Sequence, residues 1–173
     1  MQERSAISLS EEIVYMAGFL DGEGCVRIAR ANFPWATASG NRRRSPCHIL
    51  HVSVANNCRE PLELFVKHFG GQIYRRAGGP RLREHFRYQV GNKKAALLLE
   101  KLLPYLIVKR AQAEKGLLLG ALLRRRGRRW VPRDVLEARE RLKNEVAELN
   151  GQYNGHGFTT YTRARQQEAL ARR

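Results

Sequence analysis

The stretch Tyr15-Met16-Ala17-Gly18-Phe19-Leu20-Asp21-Gly22-Glu23-Gly24 is an apolar helical run that ends abruptly on two acids and two glycines. Asp21 stands within reach of the last helical turn, and Glu23 falls just past it. Glycine at 22 and 24 lets the backbone leave the helix through unusual dihedrals. The acids stand in an electrostatically costly place, because a helix C-terminus carries partial negative charge and favours Lys or Arg. A divalent cation would offset that cost, and hard oxygen donors suit Mg²⁺. Ala17 and Gly18 are small residues on a greasy helix and allow a partner helix to approach closely. The stretch reads as a tightly packed helix that delivers a carboxylate to a metal.

Upstream, Ser8-Leu9-Ser10-Glu11 fits a capping box with Ser8 or Ser10 as the cap, and Glu11 and Glu12 suit the positive end of the dipole. Downstream, Cys25 to Arg30 alternates as a strand, with Val26 and Ile28 on one side and Cys25, Arg27 and Ala29 on the other. Residues 32–46 hold two prolines, a Gly-Asn pair and Arg42-Arg43-Arg44, which together make a long basic hairpin loop. His48 to Val54 is a second strand, with Leu50, Val52 and Val54 inward and Ile49, His51 and Ser53 outward. Pro61 to Phe69 is a helix closed by Gly70-Gly71. Gln72 to Arg76 is a third strand, and His85 to Val90 a fourth, with Phe86, Tyr88 and Val90 inward. Lys93 to Leu103 is a further amphipathic helix, ended before Pro104. Tyr105 to Glu114 follows, and a further helix continues through Leu117, Leu118, Leu119, Leu122 and Leu123. All four strands put a polar, Arg-bearing face outward, so the chain predicts an α+β fold: one antiparallel sheet with helices on its other face.

The opening stretch resembles the LAGLIDADG motif of homing endonucleases, read as Met16 to Gly24, and the αββαββα order resembles that family's fold. The resemblance implies a four-stranded antiparallel DNA-binding sheet. It covers most of the chain, which is expected to be a single domain over 1–173. Its core is expected at about 8–125, with an extra C-terminal helix and a basic tail at about 131–173. The motif occurs once. A single copy implies the homodimeric branch, with the motif helices paired at a two-fold interface through Ala17, Gly18 and Asp21.

Composition points the same way. The 173 residues carry 32 Lys and Arg against 16 Asp and Glu, a formal net charge of +16. So much positive charge opposes folding by self-repulsion unless a polyanion is the partner, which makes nucleic acid the leading one and a membrane surface the weaker one. Arg dominates that charge and suits forked contacts to phosphate and guanine. Cys25, Cys47 and Cys58 are odd in number and far apart, so neither a zinc site nor a disulfide framework is indicated. No signal peptide or membrane span is read, and the expected location is intracellular, in the cytoplasm of a prokaryote or an organelle.

The resemblance implies the site residues. Glu23, the second acid, is the metal ligand, assisted by the Gly22 carbonyl, with DNA phosphates supplying further ligands to Mg²⁺ or another divalent ion such as Mn²⁺. Asp21 braces the helix ends or the partner subunit. Asn56, at the end of the second strand, orients the attacking water. Lys109, within Pro104-Tyr105-Leu106-x-x-Lys109-x-x-Gln112-Ala113, stands near the scissile phosphate, and Arg59 fills a further basic position. The expected DNA contacts are Arg27, Ala29, Ile49, His51, Ser53, His85, Arg87 and Gln89, with Arg42, Arg43 and Arg44 from the loop. On the third strand, Ile73 inward puts Gln72, Tyr74 and Arg76 outward, whereas aligning to the family selects Arg75. His51 and His85 have no partner at metal-ligand spacing. The activity implied is double-strand cleavage of a long pseudo-palindromic site by an intron-encoded enzyme, leaving short 3′ overhangs. The rival is a non-cleaving nucleic-acid binder on the same fold, an RNA-splicing maturase or a DNA-binding regulator.

Overall fold

Ser8 opens the first helix, as the capping pattern predicts. Its hydroxyl accepts from the Glu11 amide, and the Glu11 carboxylate accepts from the Ser8 amide at 2.7 Å. This helix, α1, spans Leu9–Glu23. Glu23 is therefore its last residue and does not lie beyond it. Gly24 leaves at φ −90°, ψ 165°, an ordinary extended conformation, so the glycine is not there for unusual dihedrals. A Cβ at Gly24 would run into the Leu20 carbonyl and side chain, so close approach is what demands glycine.

The computed structural model describes residues 8–31, 46–78, 84–123 and 131–153. After α1 come β1 (Gly24–Ala31), β2 (Cys47–Asn56), α2 (Glu60–Phe69), β3 (Gln72–Arg76), β4 (His85–Gly91), α3 (Asn92–Leu102), a 3₁₀ turn (Leu103–Tyr105), α4 (Arg110–Leu123) and α5 (Arg133–Tyr153). The strands form one antiparallel sheet in the order β1-β2-β4-β3. Gly70 and Gly71, at φ 65° and 97°, turn the chain from α2 into β3 through conformations that other residues rarely adopt.

The register sorts the two faces. Val26, Val52 and Val90 form one inward row, and Val54, Tyr88 and Ile73 another. These pack with Met16, Leu20, Phe65, Leu98, Leu99 and Leu119 of the helices in one buried core. The Tyr88 hydroxyl donates to the Gly70 carbonyl at 2.9 Å, and burial pushes its pKa well up. A Cβ at Gly116 would stand 3.0 Å from Leu50 and 2.9 Å from Leu99, so this glycine lets α4 lie close against the sheet.

The core does not end near residue 125. Helix α5 returns to it, placing Leu142 and Val146 among the core side chains. It packs against α4 and β1, an edge strand of the sheet. Asn150 Nδ2 donates to the Val26 carbonyl at 2.9 Å, satisfying a backbone group of that edge strand. Buried His48 on β2 meets Glu140 at 2.9 Å, and Glu140 also pairs with Lys143. Arg139, also buried, donates to the Leu122 carbonyl at 2.8 Å. Among the described residues, no helix is long and apolar enough to cross a membrane.

Candidate nucleic-acid interface

Alternation along four paired strands puts one polar set of side chains on the face away from the helices. Cys25, Ser53, Gln89 and Gln72 lie in register across β1, β2, β4 and β3. Arg27 pairs with His51, Ala29 with Ile49, and Arg76 with His85, while Arg87 stands between Ala55 and Tyr74. The expected outward residues Arg27, Ala29, Ile49, His51, Ser53, His85, Arg87 and Gln89 all share this parity. So do Tyr74 and Arg76 of β3. Arg75 does not: it lies opposite Phe86 on the other parity, and its Nη2 donates to Glu84 at 2.5 Å. Arg42, Arg43 and Arg44 lie outside the described residues.

The face is hollowed near the end of α1. An open concavity of about 260 Å³ is lined by Glu23, Cys25, Arg27, His51, Val52, Ser53, Ala55, Arg87 and Gln89. Glu23 is the one acid of that lining, facing two arginines and a histidine. Its carboxylate is exposed and makes no hydrogen bond or ion pair with any described residue. His51 is held below the ordinary imidazole range, first by burial and then by the Arg27 guanidinium. A neutral imidazole presents one donor and one acceptor, which suits reading the edge of a base. Cys25 and Ala55 line the concavity too. Their outward parity was legible in the strand alternation, although neither residue type signals nucleic acid.

The two acids of the motif part company. Asp21 faces its own chain: Oδ2 accepts from the Ile107 and Val108 amides at 2.7 and 3.2 Å, and Oδ1 from the Lys109 amide at 2.9 Å. It braces the ends of two helices within its own subunit, one of the two roles that the resemblance left open. Lys109 Nζ donates to the Asp21 carbonyl at 2.5 Å, which brings Lys109 to the end of α1.

Three further expected residues lie elsewhere in the fold. Ala17 is 0% exposed in its own core and offers no side chain to a partner. Val14, Tyr15, Gly18 and Gly22 are exposed along one side of α1, a helical stripe on which both glycines have open space above them. Asn56 has the inward parity, and its Oδ1 accepts from the Cys58 amide at 2.8 Å in the turn before α2, so it is not drawn into the concavity. Arg59 is exposed at the N-cap of α2 and pairs with Glu63 at 2.9 Å, away from the lining.

No family model and no curated protein matches the chain. Solved structures do. The homing endonuclease I-CvuI, seen in complex with a DNA target in the presence of Mg and with the DNA not cleaved, superposes at a TM-score of 0.65. It is 24% identical over 81% of this chain and 82% of its own. The archaeal intron-encoded homing endonuclease I-Vdi141I, complexed with DNA, gives 0.52 at 19% identity, over 78% of this chain and 98% of its own. The LAGLIDADG homing endonuclease I-LtrWI, bound to target DNA, gives 0.54 at 19% identity, over 83% of this chain and 47% of its own. The fold is that of the LAGLIDADG homing endonucleases.

Proposed function

We propose that the chain is a site-specific, metal-dependent DNA endonuclease that works as a homodimer on double-stranded DNA. One observation carries the reading: Glu23, an exposed carboxylate with no partner among the described residues, stands at the rim of an otherwise basic concavity on the open sheet face. Asp21, by contrast, commits its carboxylate to three backbone amides. An acid beside Arg27 and Arg87, where phosphate would bind, suits a cation shared with that phosphate. The DNA complexes of I-CvuI and I-Vdi141I support duplex DNA as the partner, and the Mg and Ca present with I-CvuI support a divalent ion.

The donor set fits such an ion only with help. Among the described residues, no three His, Cys, Asp or Glu side chains cluster as a metal site. Glu23 and the Gly22 carbonyl are hard oxygen donors that would hold Mg²⁺ or Mn²⁺, with phosphate and water completing the shell. Bound there, the ion supplies positive charge for activating water and stabilising the leaving oxygen. The chain's own groups do the rest. Arg27 and Arg87 grip phosphates or guanine edges, and Gln72, Gln89 and Ser53 present donor and acceptor pairs to bases. Lys109 adds positive charge at the end of α1.

The stripe of Val14, Tyr15, Gly18 and Gly22, continued by Ile107 at 85% exposure, is the proposed two-fold interface. Pairing there brings two copies of Glu23 together. Such a pair would cut both strands of a pseudo-palindrome and leave short 3′ overhangs.

The test is cleavage, with Mg²⁺, of a DNA pool carrying candidate intron-insertion sites. Wild type is expected to cut. Glu23→Gln should bind the same duplex and cut at least about 10²-fold more slowly. Tight binding without cutting by either protein would replace this reading with a DNA-binding regulator. RNA binding without DNA cutting would replace it with a maturase. Sedimentation of the free protein as a monomer that stays monomeric on DNA would remove the dimer.

A further inference from the structure

Two helix ends meet beside Glu23, and neither carries its own electrostatic complement. The last turn of α1 has no basic residue, and the first turn of α4 has no acid. Each end is served by the other helix. Asp21, on α1, spreads its carboxylate over the amides of Ile107, Val108 and Lys109, the donors that lead into α4. Lys109 returns its ammonium to the Asp21 carbonyl, one of the free acceptors at the end of α1. The two residues are 88 positions apart and both are half-buried.

We propose that Asp21 is a positioning residue for Lys109, in a two-way clamp that sets the ammonium against the end of the helix bearing Glu23. This rests on the nuclease reading above. Lys109 is held at both ends, its backbone by the Asp21 carboxylate and its side chain by the Asp21 carbonyl. A lysine has a long, flexible stem, and ordering it on contact with substrate is costly. The clamp orders it beforehand, within the segment that carries the cleaving carboxylate. It also gives the two acids different tasks: Asp21 organises the second helix, and Glu23 has no partner among the described residues.

The experiment is a double-mutant cycle of Asp21→Asn and Lys109→Ala, read by single-turnover cleavage of a duplex that wild type cuts. Asparagine keeps the shape but turns one acceptor into a donor facing the 107–109 amides. Asp21→Asn should slow cleavage about 10- to 100-fold, as loss of geometry at a reacting centre does. Its DNA affinity, measured with Ca²⁺, should change less than about twofold, and Asp21→Glu should recover part of the rate. In the Lys109→Ala background, Asp21→Asn should add less than about twofold. An equal loss in both backgrounds, or an affinity loss as large as the rate loss, would overturn the proposal by making Asp21 merely structural. So would an unchanged rate. Cutting by wild type is the control that separates this failure from failure of the nuclease reading. Amide hydrogen exchange of the uncomplexed protein checks the clamp whether or not it cuts: exchange at Ile107 to Lys109 should quicken at least about tenfold in Asp21→Asn, with the rest of α4 unchanged. No change there would sink the clamp.

Discussion

Leu50 and His51 are neighbours on β2 and belong to different parts of the molecule. Leu50 is fully buried against α4, near Gly116 and Val26. His51 faces the other way, into the concavity beside Arg27. The helix-bearing face of the sheet is apolar and closed, whereas the open face carries Arg27, Ser53, Arg87 and Gln89 and ends at Glu23, an acid with no partner among the described residues. The difference teaches a division of labour. One face holds the fold, and the other, on the proposed function, meets DNA and adds little to stability. Substitutions one residue apart along a strand should therefore have unlike consequences.

The largest effect is expected on the closed face. Leu50→Ala should cost about 2–5 kcal/mol of unfolding free energy by denaturant titration, because the methyl groups against Gly116 and Leu99 leave a cavity. Cleavage by the fraction that stays folded should keep its sequence preference. A relaxed preference would break the division. Next comes Arg27→Ala on the open face. It should weaken DNA binding by about 1–3 kcal/mol if Arg27 grips a guanine, or lower the salt slope by about one if it grips a phosphate, with the melting temperature unchanged.

Smaller effects sharpen the comparison at its edges. Glu140 is held below the ordinary carboxylate range first by Lys143, with His48 and Arg30 adding to it against the cost of burial. A carboxylate lowered on folding contributes stability above its unfolded pKa and loses it as pH falls through the lower folded value. Glu140→Gln should therefore cost under about 1 kcal/mol at pH 7, since the side chain is a third exposed. The cost should fade as the pH drops below the carboxylate range, which denaturant midpoints across a pH series would show. Smallest is Ser53→Ala, in register with Cys25 and Gln89 on the open face. Its unfolding free energy should move within about 0.5 kcal/mol, while preference at one base changes. A larger stability loss would mean that the open face also supports the fold.

Much of this architecture was legible in local pattern. Ser8 with Glu11, the alternation in β1, β2 and β4, and the glycine pair after α2 each act within a few residues, so the sequence shows them directly. The exposed acid of the motif was legible for the same reason, from its place at a helix end. What stayed hidden depends on contacts between distant segments. The side of α1 that is buried turns on where the sheet and α3 lie, and so Ala17 went inward while Gly18 stayed out. Arg75 and Asn56 depend on strand register and a turn, which fix parity across partners that local sequence does not name. Helix α5 read as an appendage because its apolar side is sparse, yet His48 and Glu140, 92 residues apart, join it to the sheet.

The sequence by itself determined the element order, the two-faced strands, the basic character of the chain and the pair of acids closing α1, because periodicity, capping and charge are local or additive. Only the tertiary structure decided which acid is spent and which is free. Asp21 finds three amides 86 to 88 residues away, and Glu23 finds none among the described residues. Hydrogen-bond geometry between two helix ends does not exist until the chain has folded.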